Sequence, residues 1–193
     1  MGCGQSINKV DSETPFTLKY DMRKGREAVV LGEGAFGIVY RAKVRSIDDQ
    51  PPLPDVAVKC INTDKMEAKE HDALLTEVGI LQKLNHPAIV KCYDFYEEVK
   101  TAFIIMELVL GGELFDRIIE LQHYSEREAR DVCARLLDAL AYMHKLGYAH
   151  RDIKPENLLL LNEENHHDFK LCDFGFASKF EGRSMNERLG SPG

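Results

Sequence analysis

The sequence predicts an α+β fold, in which a small and mostly antiparallel sheet precedes a helical region. Residues 28–44 alternate apolar and polar side chains around a glycine turn, and residues 56–61 form a β-branched run. After residue 112 the apolar positions change to helical spacing, most clearly over residues 125–147. This change of period along the chain predicts two parts of different structure.

Composition and charge limit the classes of function. The 193-residue chain is 44% hydrophobic and 30% charged, and its sequence contains no apolar run long enough to span a bilayer. A formal net charge of −7 disfavours non-specific nucleic-acid binding, so we expect no nucleic acid among the partners. The five cysteines are scattered without a C-x-x-C pair, which fits a reducing, cytoplasmic location and predicts neither a disulfide framework nor a zinc site.

The first part of the chain begins with a segment that we do not expect to fold. Residues 1–27 are polar and lack sustained periodicity, so we expect a flexible segment and place the start of the folded part near Ala28. The elements predicted after it are a hairpin over 28–44, a loop over 48–55, a strand over 56–61, a helix over about 65–84 and strands over 89–96 and 101–109.

The second part is predicted to contain a long helix that starts at a capping box. Ser125 is suited to the N-cap position, and Glu128 follows three residues later. Apolar side chains then keep helical spacing until Gly147, namely Val132, Cys133, Leu136, Leu137, Leu140 and Met143.

A glycine-rich motif occupies the turn of the first predicted hairpin. Residues 32–39, GEGAFGIV, contain the pattern G-x-G-x-x-G, which also opens dinucleotide-binding folds where a helix follows the turn. Here a β-like run follows, so we expect the loop to join two antiparallel strands and to approach phosphate groups with its backbone N–H groups. Taken alone, the motif also fits a glycine-rich hairpin without a ligand.

Lys59 and Glu77 are predicted to form an ion pair inside the first part. Strand alternation puts Lys59 on the same face as Ala57, toward the covered side of the sheet, where a lysine needs a partner. Glu77 lies within the apolar stripe formed by Leu74, Leu81 and Leu84, spaced 3, 4 and 3 residues apart. A solvated surface pair is the alternative, but it does not explain a carboxylate within an apolar stripe.

Two polar motifs in the second part supply the groups needed for phosphoryl transfer. HRDIKPEN occupies residues 150–157, and DFG begins at Asp173. Asp152 precedes Asn157 by five positions and Asp173 by 21, which sets a candidate base beside two candidate metal ligands. A polar surface turn would explain the first motif alone, but not the second at this distance.

The motifs together resemble a known family. Residues 28–193 resemble the first two thirds of a eukaryotic Ser/Thr protein kinase domain, on GEGAFGIV, VAVK, a helix glutamate, HRDIKPEN and CDFG in family order. The resemblance implies a protein-kinase-like two-lobe fold, with a complete small β-rich lobe over 28–109 and an incomplete helical large lobe over 110–193. The runs GGELFD at 111–116 and CDFGFA at 172–177 are most similar to the calmodulin-dependent and calcium-dependent kinases.

The resemblance also implies a role for each matching residue, with ATP and Mg²⁺ as cofactors. Lys59, held by Glu77, would contact the α- and β-phosphates, and Asp152 would accept the proton of the substrate hydroxyl. Lys154 would stabilise the transferred phosphoryl group, while Asn157 and Asp173 would bind Mg²⁺. The implied ATP site consists of Leu31, Gly32, Gly34, Gly37, Val39, Ala57, Lys59, Met106, Glu107, Val109, Glu113 and Leu159.

Two carboxylates resemble those by which basic-directed kinases recognise arginine upstream of the acceptor. These are Glu113 and Glu156, so protein substrates with basic residues near the acceptor are the expected partners. Alternatively, both are ordinary polar loop residues and Glu113 contacts only the ribose. Glu187 aligns with the position that most kinases phosphorylate, where it either replaces a phosphate or is an ordinary solvated charge.

The N-terminus carries an acylation pattern. Met1-Gly2-Cys3-Gly4-Gln5-Ser6 matches the N-myristoylation signal at Gly2, and Cys3 is placed for a second acyl chain. Two chains anchor a protein far better than one, so we expect association with a membrane surface. An unmodified, disordered start is the alternative.

The sequence ends at Gly193, within the activation segment that the resemblance implies and ahead of an A-P-E motif. We therefore expect the helix over 125–147 to expose apolar surface. Three interpretations remain open: a catalytic Ser/Thr kinase whose sequence is cut short, a truncated and catalytically inactive nucleotide-binding or regulatory module, and a dinucleotide-binding enzyme. The strand after the glycine loop disfavours the last.

Overall fold

The computed structural model describes residues 14–22, 27–34, 37–45, 53–162, 164 and 167–180. The predicted acylation residues Gly2 and Cys3, the glycine-loop residues Ala35 and Phe36, and Glu187 all lie outside the described residues. So do residues 48–52 of the predicted proline-rich loop. None of the helices within the described ranges has the length and apolar character required to cross a membrane.

A curved antiparallel sheet forms the small lobe. Its strands are β1 (Tyr20–Asp21), β2 (Val30–Gly34), β3 (Gly37–Val44), β4 (Val56–Asn62), β5 (Cys92–Glu98) and β6 (Thr101–Glu107). Across the described residues these six strands lie in the order β1-β3-β4-β6-β5, and β2 pairs with β3 beside that path. The glycine motif thus sits in a hairpin between two paired strands, as predicted.

The small-lobe helix packs an apolar stripe against this sheet. Helix α2 spans Ala68–Leu81, three residues shorter at each end than predicted, because a capping box at Glu67 and Glu70 starts it. Leu74 and Val78 pack against Ile61 and Ile104 of the sheet. Glu77 is only 8% exposed, which confirms that this carboxylate lies within the apolar stripe.

The prediction that residues 1–27 are flexible is wrong for residues 14–22. Pro15–Lys19 form helix α1, which Thr14 and Thr17 cap, and Tyr20 pairs with Val44 in the sheet. Phe16 is 2% exposed, and its ring stacks on that of Phe103 with 4.1 Å between the ring centroids. The folded small lobe therefore begins before Ala28, because one buried aromatic ring fixes a segment too short to show periodicity.

Within its described residues, the large lobe contains two α-helices and two short antiparallel strand pairs. Its elements are α3 (Leu114–Leu121), α4 (Glu126–Lys145), β7 (Tyr148–Ala149), a 3-10 turn (Pro155–Asn157), β8 (Leu158–Leu160), β9 (Phe169–Leu171) and β10 (Ser178–Lys179). Within the described part of the chain, β8 pairs with β9 and β7 pairs with β10, both antiparallel. These two strand pairs hold the HRDIKPEN and DFG motifs close together.

Helix α4 follows its prediction closely. Ser125 and Glu128 form the capping box, with the Ser125 Oγ accepting from the Glu128 N–H at 3.2 Å. Val132, Ala139 and Met143 are buried in the core. On the other side of the helix, the predicted apolar surface is present, since Leu137 is 65% exposed and Cys133 is also exposed.

One apolar core joins the two lobes behind the site. It runs from Leu81 at the end of α2, through Ile89 and Val90, to Leu171 and Phe174. Ile89 and Val90 were predicted to open a strand, but they bond to β9 instead: Ile89 bridges Leu171, and the Val90 N–H donates to the Leu171 carbonyl at 3.0 Å. Strand β5 therefore starts only at Cys92, because the large lobe binds the segment before it.

Candidate active site

One position of the glycine hairpin, residue 37, can be occupied only by glycine. Gly37 has a φ of 142°, and a Cβ there would lie 2.2 Å from the Cys60 carbonyl oxygen. A side chain at this position would therefore collide with the neighbouring strand. At Gly32 and Gly34 a Cβ would have no heavy atom of the described residues within 4 Å, so packing against that part of the chain does not require these two glycines.

The predicted ion pair between Lys59 and Glu77 is present. The Lys59 Nζ donates to the Glu77 Oε1 at 2.9 Å, and the two side chains are only 13% and 9% exposed. Strand β4 pairs Lys59 with Val39 on one side and Ile104 on the other, which fixes the backbone of the lysine. A pair this buried must remain matched, because either charge alone would be costly to bury.

Lys59 also acts on the large-lobe segment that carries the DFG motif, residues 172–175, which we call the metal loop. Burial raises the pKa of the Cys172 thiol to about 12, with Asp173 adding to the rise, whereas the charge of Lys59 acts in the opposite direction. The charge of Lys59 therefore acts on the residue that precedes Asp173. The fold thus places the lysine of the small lobe within electrostatic range of the DFG motif of the large lobe.

The loop over residues 150–157, called the catalytic loop below, brings two of the predicted residues next to Asp152. Asp152 is 6% exposed, and its Oδ2 accepts from the Asn157 Nδ2 at 3.1 Å. The Lys154 Nζ lies 3.1 Å from the same oxygen, and this hydrogen bond raises the pKa of Lys154. Asn157 also donates to the Asp152 backbone carbonyl at 2.8 Å. The candidate base is therefore oriented by two neighbours and kept next to a cation.

His150 orients this loop from behind. Its Nδ1 accepts from the Asp152 N–H at 3.3 Å, so its Nε2, 3.1 Å from the Cys172 carbonyl, must be the donor. Burial lowers the pKa of His150, against the opposing effect of the bond to Cys172, and favours this neutral ring. The ring also meets the buried Phe174 edge to face at 4.7 Å. His150 therefore joins the catalytic loop to the metal loop.

Two residues of these loops have left-handed backbone conformations. Arg151 has a φ of 69° and Asp173 a φ of 58°. Such conformations are uncommon outside glycine and persist only where the surroundings fix them. The Arg151 Nε donates to the Phe176 carbonyl at 2.6 Å, and the Gly175 N–H donates to the Asp173 Oδ1 at 3.4 Å. Both turns are thus held by contacts with the segment that follows Asp173.

The side-chain oxygens of Asn157 and Asp173 are suitable ligands for a Mg²⁺ ion that is also bound by the phosphates of a nucleotide. The Asn157 amide nitrogen is committed to Asp152, so its orientation leaves the amide oxygen as the cation ligand. In the described part of the chain no group of three or more His, Cys, Asp or Glu side chains could hold a metal alone. Mg²⁺ is usually held by one or two protein oxygens together with substrate phosphates, and this pair matches that pattern.

The remaining predicted ATP residues lie on the strands and turns around the site. Ala57 pairs with Met106 across β4 and β6, and Glu107 ends β6 at the connection between the lobes. Val39 faces Gly32 across the glycine hairpin, while Leu31 is 37% exposed and Val109 is partly buried just beyond β6. Leu159 of β8 bridges Glu113, which places both at the large-lobe side.

Glu113 lies in an acidic surrounding. Burial raises its pKa, the charges of Asp116 and Glu156 raise it further, and Lys154 acts in the opposite direction. Glu113 precedes α3 at the N-cap, yet its side chain makes no capping hydrogen bond. The two carboxylates predicted to bind substrate arginine are therefore close enough to repel each other, with Lys154 as a neighbouring cation.

Two residues that support the site were not identified from the sequence. Arg135 of α4 donates to the Asp168 carboxylate at 2.8 Å and to the Phe169 carbonyl at 3.3 Å, which anchors the start of β9. Lys170, in the middle of β9, forms an ion pair with Glu107 at 2.9 Å. Neither residue belongs to a local motif, and only their positions near the two motifs would have drawn attention to them.

Comparisons with known proteins agree with this geometry. The family model for the protein kinase domain matches residues 26–193. The calcium/calmodulin-dependent protein kinase type 1 of Caenorhabditis elegans is 39% identical over 175 residues, which cover 91% of this chain and 47% of that protein. The myosin light chain kinase A of Dictyostelium discoideum is 39% identical over 164 residues, covering 84% and 54%.

A third relative gives the same result. The calcium/calmodulin-dependent protein kinase type IV of Mus musculus is 40% identical over 164 residues, which cover 84% of this chain and 33% of that protein. The chain spans about half the length of the first relatives that it matches. The chain belongs to the protein kinase domain family, among the Ser/Thr kinases of the calcium/calmodulin-dependent group.

Proposed function

We propose that this chain supplies the ATP-binding and catalytic residues of a protein kinase that transfers the γ-phosphoryl group of ATP to serine or threonine. The observation that carries the proposal is the position of Asp152, buried and oriented by Asn157 and Lys154, beside a formed Lys59–Glu77 pair. Families with this arrangement accelerate the reaction mainly by positioning and by electrostatic stabilisation.

In the proposed reaction, the substrate hydroxyl oxygen forms a bond to the γ-phosphorus while the bond between that phosphorus and the β,γ-bridging oxygen breaks. The hydroxyl proton goes to the Asp152 carboxylate, and ADP leaves with the bridging oxygen. Lys154 stabilises the negative charge on the transferred group, and Lys59 holds the α- and β-phosphates. Asn157 and Asp173 would hold Mg²⁺, which neutralises phosphate charge when bound.

The glycine hairpin would cover the phosphates. Because no atom of the described residues occupies the space beside Gly32 and Gly34, a ligand can approach their backbone closely. The adenine would bind the backbone of residues 106–109 at the connection between the lobes, with Leu31, Ala57 and Leu159 as apolar contacts. Glu113 would lie beside the ribose.

The acidic surrounding of Glu113 supports a preference for basic substrates. Glu113 and Glu156 repel each other, so a guanidinium between them would relieve that repulsion and pair with both carboxylates. We therefore include arginine upstream of the acceptor in the proposed specificity. We also propose that the protein is cytoplasmic and that acyl chains on Gly2 and Cys3 attach it to a membrane surface.

An Asp152→Asn variant of the full-length protein tests the catalytic proposal. We expect kcat to fall by about 10²- to 10⁴-fold, with the affinity for MgATP little changed. Asp131→Asn is the matched control, because it makes the same chemical change at a surface position of α4, where the carboxylate pairs with the exposed Arg130 across 3.5 Å. It should retain full activity.

Two outcomes would contradict the proposal. Undiminished turnover in the Asp152→Asn variant would remove this residue from the mechanism. An unaltered protein that binds MgATP but transfers no phosphoryl group to serine or threonine would favour the inactive nucleotide-binding module instead.

A further inference from the structure

The ion pair between Glu107 and Lys170 connects the two lobes next to the site. The Lys170 Nζ lies 2.9 Å from the Glu107 Oε2, and the side chains of Lys170 and Glu107 are 12% and 26% exposed. Glu107 is the last residue of β6, and Lys170 is the middle residue of β9. A lysine this buried requires a charged partner. Loss of the ion pair would therefore destabilise the protein more through Lys170 than through the more exposed Glu107.

A third segment completes this connection. The Glu107 N–H donates to the Lys91 carbonyl at 2.8 Å, and the Lys91 N–H donates to the Glu107 Oε2 at 3.3 Å. The same segment holds β9, because the Leu171 N–H donates to the Ala88 carbonyl at 2.8 Å. We call Glu107, Lys91 and Lys170 the hinge tie. The Glu107 carboxylate thus pairs with a lysine side chain of the large lobe and accepts a hydrogen bond from a backbone N–H of the small lobe.

The hinge tie joins the two ends of the proposed nucleotide site. Glu107 lies in the segment whose backbone would bind adenine, and Lys170 precedes Asp173, a proposed Mg²⁺ ligand, by three residues. The two residues between Lys170 and Asp173 are fixed in place. Leu171 is fully buried, and the Cys172 N–H donates to the Asn157 carbonyl at 2.9 Å. A displacement of β9 would therefore displace the metal loop.

We propose that the hinge tie is a positioning device that sets the distance between the adenine and phosphate subsites of the nucleotide. This inference rests on the proposed function. It assigns Lys170, which belongs to neither motif, a role in binding the phosphate end of the nucleotide through the position of β9. Ligands that occupy both subsites depend on the tie, and a ligand that occupies only the adenine subsite does not.

The test compares two ligands on a Lys170→Met variant of the full-length protein. Methionine keeps much of the buried stem and removes the charge, and it leaves Glu107, the more exposed partner, to water. Calorimetry with MgADP should show affinity weakened by about 5- to 30-fold, as expected for loss of a coupling between subsites. The affinity for adenosine, which lacks phosphates, should change by less than about twofold.

Two further variants separate positioning from stability. The charge exchange Glu107→Lys with Lys170→Glu should recover most of the MgADP affinity, because the pair forms again with its ends reversed. Lys100→Met is the matched control, since the Lys100 pair with Asp64 spans 3.0 Å within the small lobe and is 57% and 43% exposed. It should leave both affinities unchanged.

The outcomes separate failure of the hinge tie from failure of the proposed function. The role of the hinge tie is refuted if Lys170→Met weakens the affinities for MgADP and adenosine equally, or weakens neither. It is also refuted if the charge exchange does not restore MgADP affinity. The proposed function would remain intact in each case. An unaltered protein that binds neither ligand would refute both.

Discussion

The stacked contact between Phe16 and Phe103 gives a quantitative test of the N-terminal helix. Phe16 is 2% exposed, its ring lies 4.1 Å from that of Phe103 and parallel to it within 3°, and Tyr20 also stacks on it at 5.7 Å. A buried aromatic side chain removes roughly 150 to 250 Å² from water, equivalent to about 4 to 6 kcal/mol. The Phe16→Ala substitution should remove much of this stabilisation.

The full amount will not be lost, because α1 is short and can detach. A detached segment regains backbone freedom, worth about 1 to 2 kcal/mol for each residue released, which limits the destabilisation. We therefore expect the free energy of unfolding to fall by about 3 kcal/mol, within the usual range for phenylalanine truncation. For a chain of this length the midpoint of thermal unfolding should fall by roughly 6 to 12 °C.

The assay is denaturant and thermal unfolding, together with amide hydrogen exchange of β6, which carries Phe103. Leu18→Ala is the matched control, since Leu18 belongs to the same helix but is 59% exposed; it should change stability by less than about 0.5 kcal/mol. If the two variants lose the same stability, or if exchange in β6 is unchanged by Phe16→Ala, burial of this ring does not attach the segment.

The remaining predictions concern the site and the N-terminus. Gly37→Ala should destabilise the protein by about 2 to 4 kcal/mol, measured by denaturant unfolding, because it adds a collision and backbone strain. Glu113→Gln with Glu156→Gln should reduce the preference in kcat/KM for peptides with upstream arginine by about 10- to 100-fold, measured on matched peptides. In eukaryotic cells, Gly2→Ala should release nearly all of the protein from membranes and Cys3→Ser much of it, as measured by fractionation, because myristate alone binds marginally.

Each of these predictions has a control or a contrary result. Gly79→Ala should be neutral or stabilise α2 by up to about 1 kcal/mol, because a Cβ there meets no atom within 4 Å. Glu120→Gln, on the exposed side of α3, should keep the arginine preference, and a profile indifferent to upstream arginine in the unaltered protein would end that proposal. An intact mass that shows Gly2 as the mature N-terminus without a myristoyl group would exclude the acylation.

Much of the fold could be predicted because its signals are local. The glycine hairpin, the β4 strand and α4 each repeat apolar residues at the period of one element, and Ser125 with Glu128 marks a helix start by chemistry within four residues. The pairing of Lys59 with Glu77 was also predictable, since each residue is anomalous in its own element and a buried charge needs a partner. The spacing between HRDIKPEN and DFG is enough to indicate phosphoryl transfer, because the two motifs together supply a base and the metal ligands.

Only the tertiary structure decided the contacts between distant segments. Phe16 is attached by Phe103, far along the chain, and no pattern within residues 1–27 indicates that contact. Ile89 and Val90 have the composition of a strand, yet the Leu171 backbone binds them and delays β5 to Cys92.

The partner of Lys170 was likewise fixed only by the packing of the two lobes. In the sequence, Lys170 is a polar residue between the apolar Phe169 and Leu171. Strand alternation in β9 therefore predicts only that the Lys170 side chain points away from the core. The lobes meet where β6 ends, and this places the Glu107 carboxylate 2.9 Å from the Lys170 ammonium. The sequence by itself determined which residue types are available for the proposed chemistry and predicted the elements on which they lie. The tertiary structure determined what holds those elements at fixed distances, because burial, ion pairing and backbone hydrogen bonds between remote segments depend on how the whole chain packs.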